Sequence, residues 1–177
     1  MPKPYPAHLV SHWRAPDGSS VLIRPIRPED AEIERQFVAS LSPEARYMRF
    51  MTTLKELSPE MLARFTRIDY DREMALIAVV TQAGHEIQIA VARYVMQPDG
   101  ESCEFAIVVA TAWQGRGLGQ HLMLLLIELA RARGLKSMTG QILSANVRML
   151  SLARAMGFTI EDAPNEPAIK HVCLTMR

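Results

Sequence analysis

Glycine crowds one point of this chain, Gln114-Gly115-Arg116-Gly117-Leu118-Gly119, where an apolar run gives way to leucines at helical spacing. The run before it, Phe105-Ala106-Ile107-Val108-Val109-Ala110, reads as a buried strand, and Leu118, Leu122, Leu125, Leu126 and Leu129 after it mark one face of a helix. The first N–H groups of a helix have no partner within it, and they lie at the positive end of its dipole. Glycines let the main chain approach an anion without Cβ atoms in the way. Strand, glycine turn and helix together predict a phosphate cradle. The segment lacks the Gly-Lys-Ser/Thr ending of a Walker A loop and the Gly-x-Gly-x-x-Gly order of a dinucleotide fingerprint. Nucleotide hydrolysis is disfavoured further because no set of carboxylates for Mg²⁺ is evident. The bland alternative is a glycine-rich turn that only caps a helix.

The charge balance says that such an anion must be gripped locally. The formal net charge of the 177 residues is +1, which gives no global field for nucleic acid or a membrane surface. No apolar stretch reaches the length of a membrane span, and the start Met1-Pro2-Lys3-Pro4-Tyr5-Pro6 has no signal-peptide core, so a cytoplasmic protein is expected. Cys103 and Cys173 read as small buried hydrophobes in a reducing compartment. His8, His12, His85, His121 and His171 are scattered without ligand spacing, so no metal site is expected.

The length suits one domain. Residues to about Tyr5 read as a loose lead-in, followed by strands His8–Arg14 and Ser20–Arg27 around a turn at Pro16-Asp17-Gly18. Pro28 opens a helix whose first turn carries Glu29 and Asp30. Ser42-Pro43-Glu44 and Ser58-Pro59-Glu60 each place a serine N-cap before proline at the first helical position. Three strands, Met74–Thr81, Glu86–Met96 and Ser102–Ala110, are separated by short turns, which implies antiparallel pairing. A helix from about Gly117 to Arg133, a strand near Leu135–Leu143, a helix capped by Asn146 and ended by Gly157, a loop Glu161–Pro167 and a strand Lys170–Met176 complete the expected order.

Written as Gln-x-x-Gly-x-Gly, the loop resembles the acetyl-CoA signature of the GCN5-related N-acetyltransferases, the GNAT family. The element order is similar to that whole fold, and Asn146, Met149, Leu150, Leu152, Gly157 and Phe158 resemble the family's later CoA-side motif. Arg24-Pro25-Ile26-Arg27-Pro28-Glu29-Asp30, Leu41-Ser42-Pro43-Glu44, Tyr47-Met48-Arg49-Phe50 and Ile68-Asp69-Tyr70-Asp71-Arg72-Glu73-Met74-Ala75 look like the acetyltransferase domain of bacterial Pat-type protein lysine acetyltransferases. The resemblance implies an α/β (α+β) domain with a mixed, mostly antiparallel sheet flanked by helices. It divides the chain into a lead-in, residues 1–19, with room for an extra strand, and an acetyltransferase domain, residues 20–177. In such proteins this domain is often joined to a large synthetase-like or nucleotide-sensing region, which 177 residues do not hold.

The same resemblance implies acetyl-CoA as cosubstrate, without a metal, and a primary amine as acceptor, a protein lysine being favoured. A lysine ammonium titrates near pH 10.4, so a general base would help at neutral pH. Glu104 holds the position of the family's basic glutamate, and partial burial beside Phe105 would raise its pKa. A surface carboxylate at a sheet edge is the alternative. Ile107, Val108 and Val109 are expected to line the pantetheine arm, with an N–H of Val108 or Val109 polarising the thioester carbonyl. Gln114, Gly115, Arg116, Gly117, Leu118 and Gly119 are expected at the pyrophosphate. For the Arg116 side chain, an outward, solvated position is equally open. Asn146 is either a pantetheine contact or only an N-cap.

Many relatives carry a tyrosine acid where this chain has Ala153, and Ser151 is a weak substitute. Arg131, Arg133, Lys136 and Arg148 are candidates for the CoA 3′-phosphate. Asp69, Tyr70 and Asp71 either line the acceptor groove or form an Asp-rich turn, the turn being favoured. Cys103 as a covalent acetyl carrier is disfavoured, since no histidine stands near it in sequence. A small-amine acetyltransferase and a non-catalytic acyl-CoA sensor remain the alternatives, and the chain is expected as a monomer or homodimer.

Overall fold

Ser11–Arg14 (β1) and Ser20–Pro25 (β2) form a hairpin whose turn is closed by Gly18 N–H on Ala15 O at 2.9 Å. The computed structural model describes residues 2–177, and the N-terminal residues before β1 are tied down. The Lys3 N–H reaches Asp69 O at 2.9 Å, and the Tyr5 hydroxyl donates to Pro25 O at 2.8 Å. The loose lead-in is therefore corrected, and the first expected strand begins only at Ser11, after a 3₁₀ turn at Ala7–Leu9. Beyond β2, Arg24 grips Asp30 through two bonds of 2.7 Å, and Asp30 also accepts from the Arg27 N–H. These buried contacts fold the Arg24–Asp30 segment into the start of helix Ala31–Ser40 (α1).

The serine caps of the next two helices form as expected. Ser42 Oγ accepts from the Ala45 N–H at the start of Pro43–Phe50 (α2), and Ser58 Oγ accepts from the Met61 N–H at the start of Pro59–Thr66 (α3). Three long antiparallel strands follow, Glu73–Gln82 (β3), His85–Met96 (β4) and Ser102–Val109 (β5). Leu118–Ala132 (α4), Ser137–Leu143 (β6) and Val147–Ala155 (α5) come next, and Gly157, at φ +92°, ends α5.

The segment expected as a loop before the last strand is instead a hairpin of Thr159–Ala163 (β7) and Glu166–Thr175 (β8). Its turn is Pro164-Asn165, with Asn165 in the left-handed region. β7 is an edge strand and its charged Glu161 and Asp162 are exposed, a composition that suits an edge and reads in sequence as loop. The sheet order is β1-β2-β3-β4-β5-β6-β8-β7, with β5–β6 the parallel pair among antiparallel neighbours.

Each face of the sheet has its own core. Leu118, Leu122, Met123 and Leu126 of α4 pack with Leu76, Phe105, Met138 and Phe158 on one face, while Phe37, Val38, Ile77 and Val91 bury α1 on the other. Among the described residues, no helix is long and apolar enough to cross a membrane.

Candidate active site

Strands β5 and β6 pair over only three residues, Ser102–Ser137, Cys103–Met138 and Glu104–Thr139, and then part. Gly140 stands where they separate, and a Cβ there would lie 2.5 Å from the Phe105 ring. That ring is itself packed on Phe158 with centroids 5.3 Å apart. The wedge of Phe105 against Gly140 thus occupies the point of separation. Beyond it opens a cavity of about 830 Å³, walled by Met48 and Arg49 of α2, Ile107–Val109 of β5, and Asn146, Arg148, Met149 and Leu152 at α5.

The inner edge of β5 offers backbone to this cleft. The Ala110 N–H donates to Ile89 O of β4 at 2.8 Å. Amides alternate sides along a strand, so Val108 also turns its N–H to β4, whereas Ile107 and Val109 turn theirs to the cleft. The pair of candidate donors Val108 and Val109 is corrected to Val109, joined by Ile107. The Gln114 side chain donates to Val109 O at 3.0 Å and so ties the glycine loop to the strand.

At the mouth of the cleft, Gly115 (φ +75°) and Gly117 (φ +92°) hold left-handed conformations that a side chain would strain. The loop therefore turns tightly enough to aim its amides at one place. The first loop or helix amide after Gln114 to find a backbone acceptor is that of His121, on Gly117 O at 3.0 Å. Among the described residues, the amides of Gly115 through Gln120 donate to no protein acceptor. Together with the dipole of α4, these N–H groups form a cradle suited to a phosphate anion. Arg148 adds charge from α5, with Nη1 3.5 Å from the position of a Gly115 Cβ.

Two side chains of the hexapeptide take no part. Arg116 points outward, its Nη1 donating to Asp17 at 3.0 Å and its guanidinium lying 4.7 Å from the Trp113 ring centre, so only its backbone joins the cradle. Leu118 is fully buried in the core. Gly119 faces the cleft, where a Cβ would make ordinary 3.7 Å contacts with Leu152 and Val109. Asn146 does cap α5, accepting from the Met149 N–H at 3.2 Å, and it lines the cavity as well.

Glu104 occupies the last paired position before the strands part, opposite Val95 on one side and Thr139 on the other. It is exposed, while Phe105 is buried on the other face. Alternation along β5 sends the two side chains apart, so the expected burial of Glu104 beside Phe105 is overturned, and so is an edge position. Glu104 is not among the residues lining the cavity, and it stands at the point from which the cleft opens.

Several other candidates lie elsewhere. Arg133 pairs with Asp71, Lys136 pairs with Glu101, and Arg131 is exposed near the far end of α4. Asp69 accepts from the amides of Asp71, Arg72 and Glu73, forming the turn before β3, and the Tyr70 hydroxyl donates to Ile26 O, so this segment does not line the cleft. Ala153 is buried and Ser151 is exposed outside the cavity lining. Burial pushes the Cys103 thiol up to about 12, and its Sγ meets Ser137 O, so it is no thiolate at neutral pH. Among the described residues, no group of three or more His, Cys, Asp and Glu is arranged to hold a metal.

Sequence reasoning missed Arg49 as a cleft residue and Trp13 as a support of the loop. Trp13 of β1 lies 3.9 Å from the position of a Gly117 Cβ and stacks on His121 with ring centroids 6.1 Å apart. Nothing in local spacing links residue 13 with residue 117. For Arg49 the only signal is its place in the Tyr47–Phe50 segment.

The chain is similar to known proteins in sequence and in fold. A family described as the acetyltransferase (GNAT) domain matches residues 20–159. An acetyltransferase of Pseudomonas aeruginosa is 40% identical over 157 residues, 88% of this chain and 84% of that protein. The crystal structure of the GNAT domain of S. lividans PAT superposes with a TM-score of 0.87 at 29% identity, over 98% of this chain and 100% of that one. The protein yncA of Salmonella typhimurium, solved with its cofactor acetyl-CoA, has a TM-score of 0.66 at 21% identity, over 89% of this chain and 94% of that one.

Proposed function

This chain belongs to the GNAT acetyltransferase family, and on that premise we propose that it moves the acetyl group of acetyl-CoA to a primary amine, with a protein lysine as the first acceptor to consider. One observation carries the reading: a row of unpartnered amides, Gly115 to Gln120, at the mouth of a cleft formed where β5 leaves β6. The residues present suit the family's cosubstrate, since the cradle matches a pyrophosphate and the free edge of β5 matches an amide-bearing arm.

Acetyl-CoA supplies an activated thioester; the protein's part is to hold, polarise and exclude. The amides of Gly115–Gln120 and Arg148 hold the phosphates, with Gln114 fixing the loop against Val109. Val109, and Ile107 before it, present N–H groups that stabilise negative charge developing on the carbonyl oxygen. Ile107, Met149 and Leu152 exclude water from the arm. The amine must lose a proton to attack, and Glu104 at the opening of the cleft takes it, through one intervening water given its position outside the lining. Attack is direct within a ternary complex, because Cys103 is buried and protonated.

None of the four tyrosines, Tyr5, Tyr47, Tyr70 and Tyr94, lines the cavity among the described residues. The leaving thiolate therefore takes its proton from water, which a thiol pKa near 8.5 permits. The same feature keeps a second reading open, an acyl-CoA sensor that binds without turnover. A thiol-release assay with acetyl-CoA and a panel of lysine-bearing proteins and small amines separates the readings. Release that depends on an acceptor supports transfer, and release no faster than hydrolysis with every acceptor favours the sensor.

A further inference from the structure

Arg49 stands on the cleft wall and, among the described residues, has no bonded partner. It projects from α2 into the cavity, and its guanidinium carbon lies 4.6 Å from the Phe50 ring centre and 6.0 Å from that of Phe65. Behind it, Arg93 of β4 lies 4.6 Å from the same Phe65 ring, so two cations share one aromatic stack. Arg93 is only 7% exposed, and although its Nη1 donates to Phe65 O at 3.3 Å, its Nε is buried with no partner among the described residues.

Guanidinium groups withdrawn from water are ordinarily paired with a carboxylate. Among the described residues, none of the nearby carboxylates bonds either guanidinium. Glu34 is buried and accepts from Gln88 Nε2 at 2.9 Å, so it acts on the two arginines only through space. Glu73 is bound by Arg64 at 2.7 Å. Glu44 lines the cavity from the exposed first turn of α2. Burial, with Arg93 adding to it, pushes the Arg49 guanidinium down to about 10, so it remains charged at neutral pH. α2 lies on the opposite face of the sheet from α4 and α5, which carry the phosphate cradle. The unpartnered charge of Arg49 therefore faces the part of the cleft left for the acceptor.

We propose that Arg49, backed by Arg93, binds a carboxylate carried by the acceptor, so that the preferred amine has an anionic carboxylate on the same molecule. This rests on the acetyl-transfer reading of the cleft. The carboxylate has two sources, a free amino acid or an acidic side chain next to a target lysine, and the guanidinium fork recognises either by the same charge-assisted hydrogen bonds.

The test is calorimetric titration into the full chain saturated with coenzyme A, which needs no turnover. One pair of probes is 6-aminohexanoate and its amide; the other is a short lysine peptide flanked by Glu and the same peptide flanked by Gln. The carboxylate member of at least one pair should bind about tenfold more tightly at low salt. The pair that discriminates identifies the source. Arg49→Gln should reduce the difference to less than about twofold, and Arg49→Lys, which keeps the charge, should retain part of it. Equal binding within both pairs overturns the proposal, and so does a preference that Arg49→Gln leaves unchanged. If thiol release with amines persists while both pairs bind equally, only the role of Arg49 fails. If carboxylate preference holds while no amine releases thiol, only the transfer reading fails.

Discussion

Glu104 is the residue on which the proposed chemistry turns, and its environment was only partly legible in the sequence. The strand and the position were readable; the exposure was not, because it depends on which face of β5 the helices cover. With Glu104→Gln, acetyl-CoA affinity should stay within about twofold while turnover at pH 7 falls by about a hundredfold. The deficit should shrink toward pH 10, where a lysine amine near its own pKa loses its proton unaided. A pH–rate comparison showing a constant ratio would remove Glu104 as the base.

Gly140 offers a separate test at the same scale. A methyl group there meets the Phe105 ring at 2.5 Å, and that ring is pinned by Phe158, so Gly140→Ala should destabilise the fold by about 1–3 kcal/mol in denaturant unfolding. His121 is held below its ordinary pKa by burial. The unfolded chain then binds the proton first, near pH 6.5, so stability is lost as pH falls from there toward the lowered folded value. The loss between pH 7.5 and pH 5 should be smaller in His121→Gln, and an equal loss would show that other groups carry it.

Among the elements, the glycine loop was the clearest in sequence because its chemistry is local: an apolar run, glycines, then a helical leucine pattern. Caps were legible for the same reason, as Ser42 and Ser58 show. Elements defined by distant partners were not. β7 looked like a loop because its charged residues belong to an exposed sheet edge, and its pairing with β8 is visible only in three dimensions. The hairpin of β1 and β2 was expected, yet nothing in its sequence indicated that Trp13 of β1 and Asp17 of the turn would brace the cradle through Gly117, His121 and Arg116. If that brace matters, Trp13→Ala should raise the acetyl-CoA KM by about three- to tenfold with kcat little changed, since it loosens a loop that grips the phosphates and not the reacting atoms. Unchanged KM would make β1 merely structural.

At the level of the whole molecule, one sheet serves two functions because β5 changes neighbours along its length. Its first residues are locked between β4 and β6; its last have β4 as their strand partner and open to the cleft. The α4 and α5 face supplies the phosphate cradle and the α1–α3 face supplies Arg49, so donor and acceptor are expected to enter from opposite faces and meet along β5. The mixed sheet and its flanking helices are those that the family resemblance implies. The parting of β5 from β6, which makes the cleft, has no signature in either strand alone.

The proposed chemistry depends on the cradle binding acetyl-CoA, and Gly119→Asp addresses it without disturbing the fold. Gly119 lies in the first turn of α4, where an acidic side chain suits the helix dipole, and its Cβ would make only ordinary contacts while facing the cleft. Calorimetric titration of acetyl-CoA should give one site per chain in the parent protein and about a hundredfold or greater loss of affinity in Gly119→Asp, as a negative charge is set against the phosphates. The melting temperature should be unchanged or higher. Equal affinity in the two proteins would contradict the assignment of this loop as the pyrophosphate site.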